Sequence, residues 1–256
     1  MPDDFSALRN MKYSGRGITI GMTPNGNPFV GYSLTGRSSS SQARRLVYDE
    51  NLLTVRTEVT DSEQLKKGNS DLLIYPAIIS VGNKIVASNG AQTNLLLAFV
   101  YKSYVMLEPR NILYRANEEP FYINGIDVTS YEPDAPNFTP RINGCLDDRF
   151  GAFCIIKKSE KFGINPIYNF GLEPGKARLI TTYKGGNENP LLSFDGNPLE
   201  ARIDSTTTRD ICESIYDAIG PKQEENYRVS SAVMLRDDEG KIKGNIINRS
   251  ERSLID

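Results

Sequence analysis

A proline-rich segment, residues 132–144, concentrates the groups that could do chemistry in this sequence. It carries two carboxylates, Glu132 and Asp134, together with the hydroxyl of Thr139 and the guanidinium of Arg141. Its prolines fix φ and favour extended geometry in the residues before them, which predicts a stiff loop. A rigid loop with both signs of charge could hold a small polar ligand. The composition alone also fits an ordinary surface crossover whose charges are solvated.

The 256-residue sequence contains no histidine. Histidine-dependent triads, histidine metal sites and imidazole general bases are therefore excluded within it. Acid–base catalysis by these residues must come from Asp, Glu, Tyr, Lys, Cys, the backbone or water. This makes Glu132 and Asp134 the candidate bases, with the choice between them open.

A second cluster, residues 36–45, combines hydroxyl groups with arginines directly after a predicted strand. Guanidinium groups bind phosphate oxygens in pairs and serines add further donors, so Arg37 and Ser38 are candidates for an anion site. The alternative is a serine-rich loop with solvated arginines, because the spacing lacks the glycines and the terminal Lys-Ser/Thr of a P-loop. Arg16, between two glycines at the start of the first predicted strand, is a weaker candidate.

The remaining candidates are Tyr75, Asn89 and Gly90. Tyr75 lies in an apolar stretch, which indicates a core residue with a partnered hydroxyl or, beside a cleft, an acid or orienting donor. Asn89 and Gly90 join a strand to a helix. The free backbone N–H groups of that helix start could bind a ligand, although capping explains the residues equally well.

The three cysteines have no metal-ligand spacing and leave one unpaired in any disulfide scheme. Cys145 is the candidate nucleophile among them because it directly follows the proline-rich segment. The cysteine usage and the missing signal-peptide pattern lead us to expect a cytoplasmic protein. A net charge of −2 argues against nucleic acid or an anionic membrane as a partner. No apolar run reaches the roughly 18 residues of a membrane span.

Short strands joined by turn signals are the elements that must position these residues. Hairpins are predicted over residues 17–34, 72–88 and 228–247, and further strands over 45–48, 53–59, 150–157, 165–170 and 178–183. Helical spacing of apolar residues predicts one helix over 92–107, ended by Pro109, and another over 206–219. The pattern favours an α+β fold of antiparallel sheets covered by helices, in a single domain over residues 1–256.

Short motifs in chain order connect these segments to a known family. They are Tyr13-x-Gly15-Arg16, Pro28-Phe29-Val30-x-Tyr32, Gly36-Arg37-Ser38, Tyr75, Ser88-Asn89-Gly90-x-x-Thr93, the run from Glu132 to Ile142, and Thr181-Thr182-Tyr183. In this order they resemble the archaeal-type IMP cyclohydrolase family and its bacterial relatives. The proline-rich segment is longer than in the archaeal pattern, and extra sequence lies between Lys102 and Tyr131. The last seventy or so residues carry no motif of the family.

The resemblance implies a four-layer αββα sandwich of antiparallel sheets, similar to N-terminal-nucleophile (Ntn) hydrolases. An N-terminal nucleophile is not expected, because the sequence begins Met1-Pro2. The implied reaction closes the ring of 5-formamidoimidazole-4-carboxamide ribonucleotide to inosine 5′-monophosphate (IMP), with loss of water, in de novo purine biosynthesis. The implied partners are this purine ribonucleotide and IMP, without a metal or redox cofactor, and a homo-oligomer is left open.

The resemblance also implies roles by motif position. The catalytic residues would be Tyr75, Glu132, Asp134 and Arg141, and the substrate-binding residues Arg16, Arg37, Ser38, Asn89, Gly90 and Thr139. An intramolecular attack suits a site without histidine, because holding the reacting geometry supplies much of the catalysis. Two alternatives stay open. One is an Ntn-like amidohydrolase with Cys145 or Thr139 as nucleophile, and the other is a non-catalytic purine-nucleotide-binding protein.

Overall fold

The structure is a computed structural model that describes residues 3–66, 70–102, 107–158, 165–221 and 225–252. In chain order its elements are α1 (Ser6–Arg9), β1 (Arg16–Met22), β2 (Pro28–Thr35), α2 (Ser39–Gln42), β3 (Arg44–Asp49), β4 (Thr54–Val59), α3 (Ser62–Leu65), α4 (Ser70–Leu73), β5 (Pro76–Val81), β6 (Lys84–Ser88), α5 (Gln92–Lys102), α6 (Pro109–Ala116), β7 (Tyr122–Ile123), β8 (Ile126–Asp127), β9 (Arg141–Leu146), β10 (Phe150–Ile156), β11 (Ile167–Gly171), β12 (Lys176–Thr181), β13 (Leu199–Arg202), α7 (Thr208–Ala218), β14 (Arg228–Arg236), β15 (Ile242–Asn248) and α8 (Arg249–Arg252).

Two larger sheets contain most of these strands. One has the order β13-β12-β1-β2-β14-β15, and the other has the order β11-β10-β9-β6-β5-β4-β3. Every neighbouring pair in both sheets is antiparallel. The predicted α+β class with antiparallel sheets is therefore confirmed.

Three apolar clusters show how the layers stack. The largest lies between the sheets and joins residues such as Ile18 and Tyr32 of the first sheet to Ile85 and Phe153 of the second. A second cluster lies between the outer face of the first sheet and α1 and α7. A third lies between the outer face of the second sheet and α5 and α6. The resulting order of helix, sheet, sheet and helix is compatible with the predicted sandwich.

Burial on both faces explains the sequence of the central strands. All residues of β1, β2 and β9 are buried, because one face meets the other sheet and the opposite face meets helices. The outer strand β3 is only partly buried. In β1 the apolar residues Ile18, Ile20 and Met22 alternate with Gly17, Thr19 and Gly21, so small and polar residues of this strand are buried as well.

Several predicted boundaries were wrong, each for a local reason. Residues 70–73 form the short helix α4, so the strand begins only at Pro76. Pro109 occupies the first turn of α6, where its missing N–H costs no hydrogen bond, and therefore starts a helix. The helix predicted over residues 92–107 is seen as α5, and residues 103–106 lie outside the described part. The proline-rich segment is a loop only as far as Pro140, since Arg141 begins β9.

The second predicted helix is confirmed as α7, but its start differs. The helix begins at Thr208 instead of residue 206, and Thr207 caps it by accepting a hydrogen bond from the backbone N–H of Asp210. Within the described residues, no helix is long and apolar enough to cross a membrane. The assignment of residues 1–256 to one domain stays a prediction.

Candidate active site

A pocket of about 240 Å³ lies where three strand ends meet the proline-rich segment. It is lined by Tyr13, Arg16, Arg37, Ser38, Ser40, Ser41, Leu72, Leu73, Glu132, Asp134, Asn137, Thr139, Tyr183 and Leu191. Six of the ten predicted site residues are among them: Arg16, Arg37, Ser38, Glu132, Asp134 and Thr139. Segments far apart in the sequence therefore converge on one cavity.

The turn before β1 brings Arg16 into this pocket. Gly15 has φ of +72°, and a Cβ atom there would lie 2.0 Å from Thr182 Oγ1 and 2.7 Å from the Tyr183 ring. Only glycine combines this left-handed backbone with such close approach. The backbone N–H of Arg16 donates to Thr182 Oγ1 at 3.0 Å, which fixes the start of the strand.

Arg16 and Glu132 form a buried ion pair. Arg16 Nη2 donates to Glu132 Oε1 at 2.6 Å, and the two side chains are 10% and 5% exposed. Burial raises the pKa of Glu132, and the cations of Arg16 and Arg141 only partly offset it. Burial alone would lower the pKa of Arg16, but Glu132 and three tyrosines around it raise that pKa well above its usual value. Arg16 is therefore a permanent cation at the wall of the pocket.

Asp134 is tied to Thr139 at both carboxylate oxygens. The backbone N–H of Thr139 donates to Oδ1 at 2.6 Å, and its hydroxyl donates to Oδ2. The Thr139 hydroxyl also lies 2.6 Å from the hydroxyl of Tyr183. Burial raises the pKa of Tyr183 to about 12, with Arg16 opposing, so Tyr183 is a neutral phenol at physiological pH.

The local sequence explains this stiff geometry. The backbone N–H groups of Asn137 and Phe138 both donate to the carbonyl of Asp134, which closes a turn between the prolines. The Asn137 side chain accepts from the backbone N–H of Leu191 at 3.0 Å and so ties the loop to the segment beyond β12. These hydrogen bonds, in addition to the prolines, favour the rigid loop that the sequence predicts.

Arg37 and the serine cluster form another part of the wall. Arg37 Nη1 donates to Asn187 Oδ1 at 3.3 Å and to the carbonyl of Glu188 at 3.2 Å, and the guanidinium lies 5.3 Å from the centre of the Tyr13 ring. The Ser38 hydroxyl accepts from the backbone N–H of Ser41 and caps α2. Part of Ser38's hydrogen-bonding capacity is therefore used within its own turn.

The four remaining predicted residues lie outside the lining of this pocket. Tyr75 and Arg141 line a neighbouring cavity of about 190 Å³. The Tyr75 hydroxyl lies 3.1 Å from that of Tyr32, between the sheets. Arg141 is fully buried, and its Nε donates to the carbonyl of Ser130 at 2.7 Å while Nη1 donates to Gln92 Oε1 at 3.1 Å. Neither residue lines the pocket that contains Arg16, although the charge of Arg141 acts on the pKa of Glu132.

Asn89 and Gly90 serve the junction of β6, α5 and β9. The Asn89 amide oxygen accepts from the N–H of Ile142 at 2.8 Å and from Gln92 Nε2 at 3.0 Å, and its nitrogen donates to the carbonyl of Pro140 at 2.8 Å. A Cβ atom on Gly90 would lie 2.5 Å from Gln92 Oε1 and 2.7 Å from Arg141 Nη1. Gly90 therefore leaves room for the Arg141 guanidinium, and the hydrogen bonds of Asn89 go to protein atoms.

Sequence reasoning missed two tyrosines that line the pocket and a buried arginine outside its lining. Tyr13 and Tyr183 line the pocket and stack with ring centroids 5.6 Å apart. Arg44 is buried, and its Nη1 has no hydrogen-bond partner among the described residues. Its charge acts on the pKa of Tyr13 after the dominant effect of burial and the charge of Arg16. Tyr13 and Tyr183 could have been found from the family motifs that contain them. Arg44 could have been found from the pair of arginines after the serines, although its neighbour Arg45 forms an ion pair with Glu58 instead.

The cysteine alternative has poor geometry. Cys145 is fully buried in the cluster between the second sheet and α5 and α6, and the pocket does not include it. Burial raises its pKa to about 12, which disfavours the thiolate that a nucleophile requires. Of the two nucleophiles considered for an amidohydrolase, only Thr139 lines this pocket.

Comparisons with known proteins agree with the motifs. The chain matches the family described as IMP cyclohydrolase-like protein over residues 13–240. Among curated relatives, an IMP cyclohydrolase of Methanococcus maripaludis is 33% identical over 190 residues, which cover 73% of this chain and 84% of the relative. An IMP cyclohydrolase of Methanococcus aeolicus is 27% identical over 192 residues, with 73% and 84% covered. The resemblance is confirmed by these matches: the chain belongs to the IMP cyclohydrolase-like family of enzymes.

Proposed function

We propose that this protein is an IMP cyclohydrolase that closes the ring of 5-formamidoimidazole-4-carboxamide ribonucleotide to IMP. The observation that carries the proposal is that one pocket is lined both by groups suited to bind a ribonucleotide and by groups suited to acid–base catalysis. Arginine and serine side chains suit the phosphate and ribose, and two carboxylates lie within the same cavity. The curated relatives from Methanococcus are named for this activity.

The chemistry fits the residues present. The carboxamide nitrogen attacks the formyl carbon of the same molecule, so the pocket mainly has to hold the two groups in contact. The electron pair of the formyl C=O bond moves to oxygen, and a fixed cation near that oxygen stabilises the developing charge. We assign this role to Arg16, with Glu132 holding it in place. Tyr75 and Arg141 would position these groups from the cavity behind, since neither lines the pocket.

The test is a ring-closure assay with purified protein and the formylated ribonucleotide. Closure changes the ultraviolet absorbance of the imidazole, so the rate is followed continuously and IMP is identified by mass spectrometry. We expect acceleration over the uncatalysed closure by many orders of magnitude, as for enzymes generally. A rate equal to the uncatalysed one at saturating substrate would contradict the proposal, and tight IMP binding without turnover would instead favour the non-catalytic nucleotide-binding protein.

Arg37→Ala should raise KM for the substrate by about tenfold to a hundredfold with a smaller change in kcat, because a charge-assisted hydrogen bond to phosphate contributes roughly 1.5–3 kcal/mol. The measurement is steady-state kinetics combined with the Kd for IMP by calorimetry. Arg45→Ala is the matched control, since Arg45 pairs with Glu58 and lies outside the pocket lining. Equal effects of the two substitutions would argue against phosphate binding by Arg37.

A second candidate function is that of an amidohydrolase with Thr139 as nucleophile. Its hydroxyl donates to Asp134, which is the arrangement of a nucleophile beside a base. Incubation with an electrophilic amide analogue followed by mass spectrometry would detect a covalent adduct on Thr139. Such an adduct would favour this alternative over ring closure. We also propose that the sandwich is Ntn-hydrolase-like, supported by the stacking of helix, sheet, sheet and helix.

A further inference from the structure

Three side chains of the pocket form one continuous hydrogen-bonded chain. The Thr139 hydroxyl donates to Asp134 Oδ2 and lies 2.6 Å from the Tyr183 hydroxyl, while the Thr139 backbone N–H occupies Asp134 Oδ1. All three side chains line the pocket. Asp134 and Tyr183 are thus connected through a single oxygen atom.

The direction of each hydrogen bond follows from the number of protons. An ionised carboxylate only accepts hydrogen bonds, so the one hydroxyl proton of Thr139 is directed at Asp134. The Thr139 oxygen can then only accept from Tyr183, and Tyr183 must be the donor. Its phenol carries that proton because burial raises the pKa of Tyr183 to about 12. The remaining lone pair of the Tyr183 oxygen is free to accept from a donor in the pocket.

We propose that Asp134 is the proton acceptor for ring closure and that it acts through Thr139 and Tyr183. This inference rests on the proposed function. As the carboxamide nitrogen bonds to the formyl carbon, one nitrogen proton moves to the Tyr183 oxygen. The Tyr183 proton moves to Thr139, and the Thr139 proton moves to Asp134. The electron pair of the formyl C=O bond moves to the formyl oxygen at the same time.

The chain returns to its starting state in the dehydration. The proton on Asp134 travels back through Thr139 and Tyr183 to the former formyl oxygen, which becomes a hydroxyl. This hydroxyl departs and takes the proton of the formamide nitrogen, and the carbon–nitrogen double bond forms. The carboxamide and formamide nitrogens have then lost one proton each, and the oxygen has left with both as water.

The geometry favours this route over direct contact with either carboxylate. Both oxygens of Asp134 are occupied by Thr139, so direct contact with a substrate N–H would compete with those bonds. Glu132 Oε1 is held by Arg16 at 2.6 Å, which suits positioning of the cation. The Tyr183 ring is itself fixed by stacking on Tyr13. Proton transfer through hydroxyl groups needs no rearrangement of these contacts.

The test compares four substitutions within the hydrogen-bonded chain and one control substitution, all in the full-length protein, by steady-state kinetics of ring closure. Tyr183→Phe, Thr139→Val and Asp134→Asn should each lower kcat by about a hundredfold or more, the range of general acid–base catalysis, with much smaller changes in KM. Thr139→Ser keeps the hydroxyl and should retain most of the wild-type kcat. Tyr168→Phe is the control, because the Tyr168 hydroxyl donates to the carbonyl of Gly196 and lies outside the pocket lining. It should leave kcat unchanged.

A further measurement distinguishes proton transfer from a structural role. The double variant Tyr183→Phe/Asp134→Asn should be no slower than the slower single variant, because members of one chain act as a unit.

The outcomes separate this inference from the proposed function. Turnover by the wild type together with a wild-type kcat for Thr139→Val or Tyr183→Phe overturns the proton chain and leaves the cyclohydrolase intact. Additive losses in the double variant also overturn it, since they indicate independent contributions. A covalent adduct on Thr139 overturns it in favour of a nucleophile. Absence of turnover by the wild type removes both proposals together.

Discussion

Arg16→Met should lower kcat/KM for ring closure by about a hundredfold to a thousandfold, which is the range for removing a fixed group that stabilises the developing oxyanion. The substitution also leaves the buried carboxylate of Glu132 without its partner at 2.6 Å. Removing one member of a buried ion pair costs roughly 3–5 kcal/mol of unfolding free energy, because the other charge remains desolvated. Activity and stability should therefore fall together.

The pH dependence of this loss has a definite sign. Burial already raises the pKa of Glu132 in the wild type, and loss of Arg16 should raise it further. A carboxyl group whose folded pKa exceeds its unfolded value lowers stability above the unfolded pKa, because the unfolded chain releases a proton that the folded protein still holds. The stability deficit of Arg16→Met should accordingly be smallest at acid pH, where the group is protonated in both states, grow as the pH rises towards the raised folded pKa, and level off above it. Urea unfolding at several pH values measures it.

A double variant separates the two effects of Arg16. Arg16→Met/Glu132→Leu replaces both charges with apolar groups, and such replacements are often neutral or stabilising. We expect it to recover most of the lost unfolding free energy while ring closure stays slow. Arg56→Met is the control, because Arg56 pairs with Glu58 at the surface, where single ion pairs contribute little. Recovery of activity in the double variant would rule out a catalytic role for Arg16.

The elements of the fold that could be predicted are those marked by residues close together in the sequence, such as turn residues and apolar stripes. Asn25-Gly26 and Gly82-Asn83 mark turns whose hairpins are present, and the apolar stripe around Ile211 and Ile215 gives α7. The order of strands in the sheets was not readable, because β2 lies beside β14 through pairs such as Tyr32 with Ala232. Such pairing depends on packing between segments that the sequence separates by about two hundred residues.

The site shows the same division. The proline-rich segment and the serine cluster were recognised because their residue types are local. The partner of Arg16 lies 116 residues away at Glu132, and the partner of Thr139 lies 44 residues away at Tyr183. Without these contacts, the spacing of Glu132 and Asp134 could not separate a carboxylate that holds a cation from one bonded to a threonine. Long-range hydrogen bonds thus decide the roles that composition leaves open.

Asn89→Ala should lower the free energy of unfolding by about 3 kcal/mol, because it leaves buried polar groups of Ile142, Gln92 and Pro140 without their partner. Through these hydrogen bonds, Asn89 holds the part of the proline-rich segment where its loop passes into β9. The segment should therefore loosen, and kcat for ring closure should fall by about tenfold or more as the reacting geometry is lost. Denaturant unfolding and steady-state kinetics measure the two effects.

Amide hydrogen exchange shows whether Asn89 acts by positioning the segment or by binding substrate. In the positioning role, the N–H of Ile142 exchanges faster in Asn89→Ala even without ligand, because its acceptor at 2.8 Å is gone. Asn89→Asp should be defective as well, since a carboxylate keeps an acceptor for Ile142 but cannot donate to the carbonyl of Pro140. Asn111→Ala, on the exposed face of α6, should change stability by no more than about 0.5 kcal/mol. Wild-type stability and exchange combined with weak IMP binding would assign Asn89 to the substrate instead.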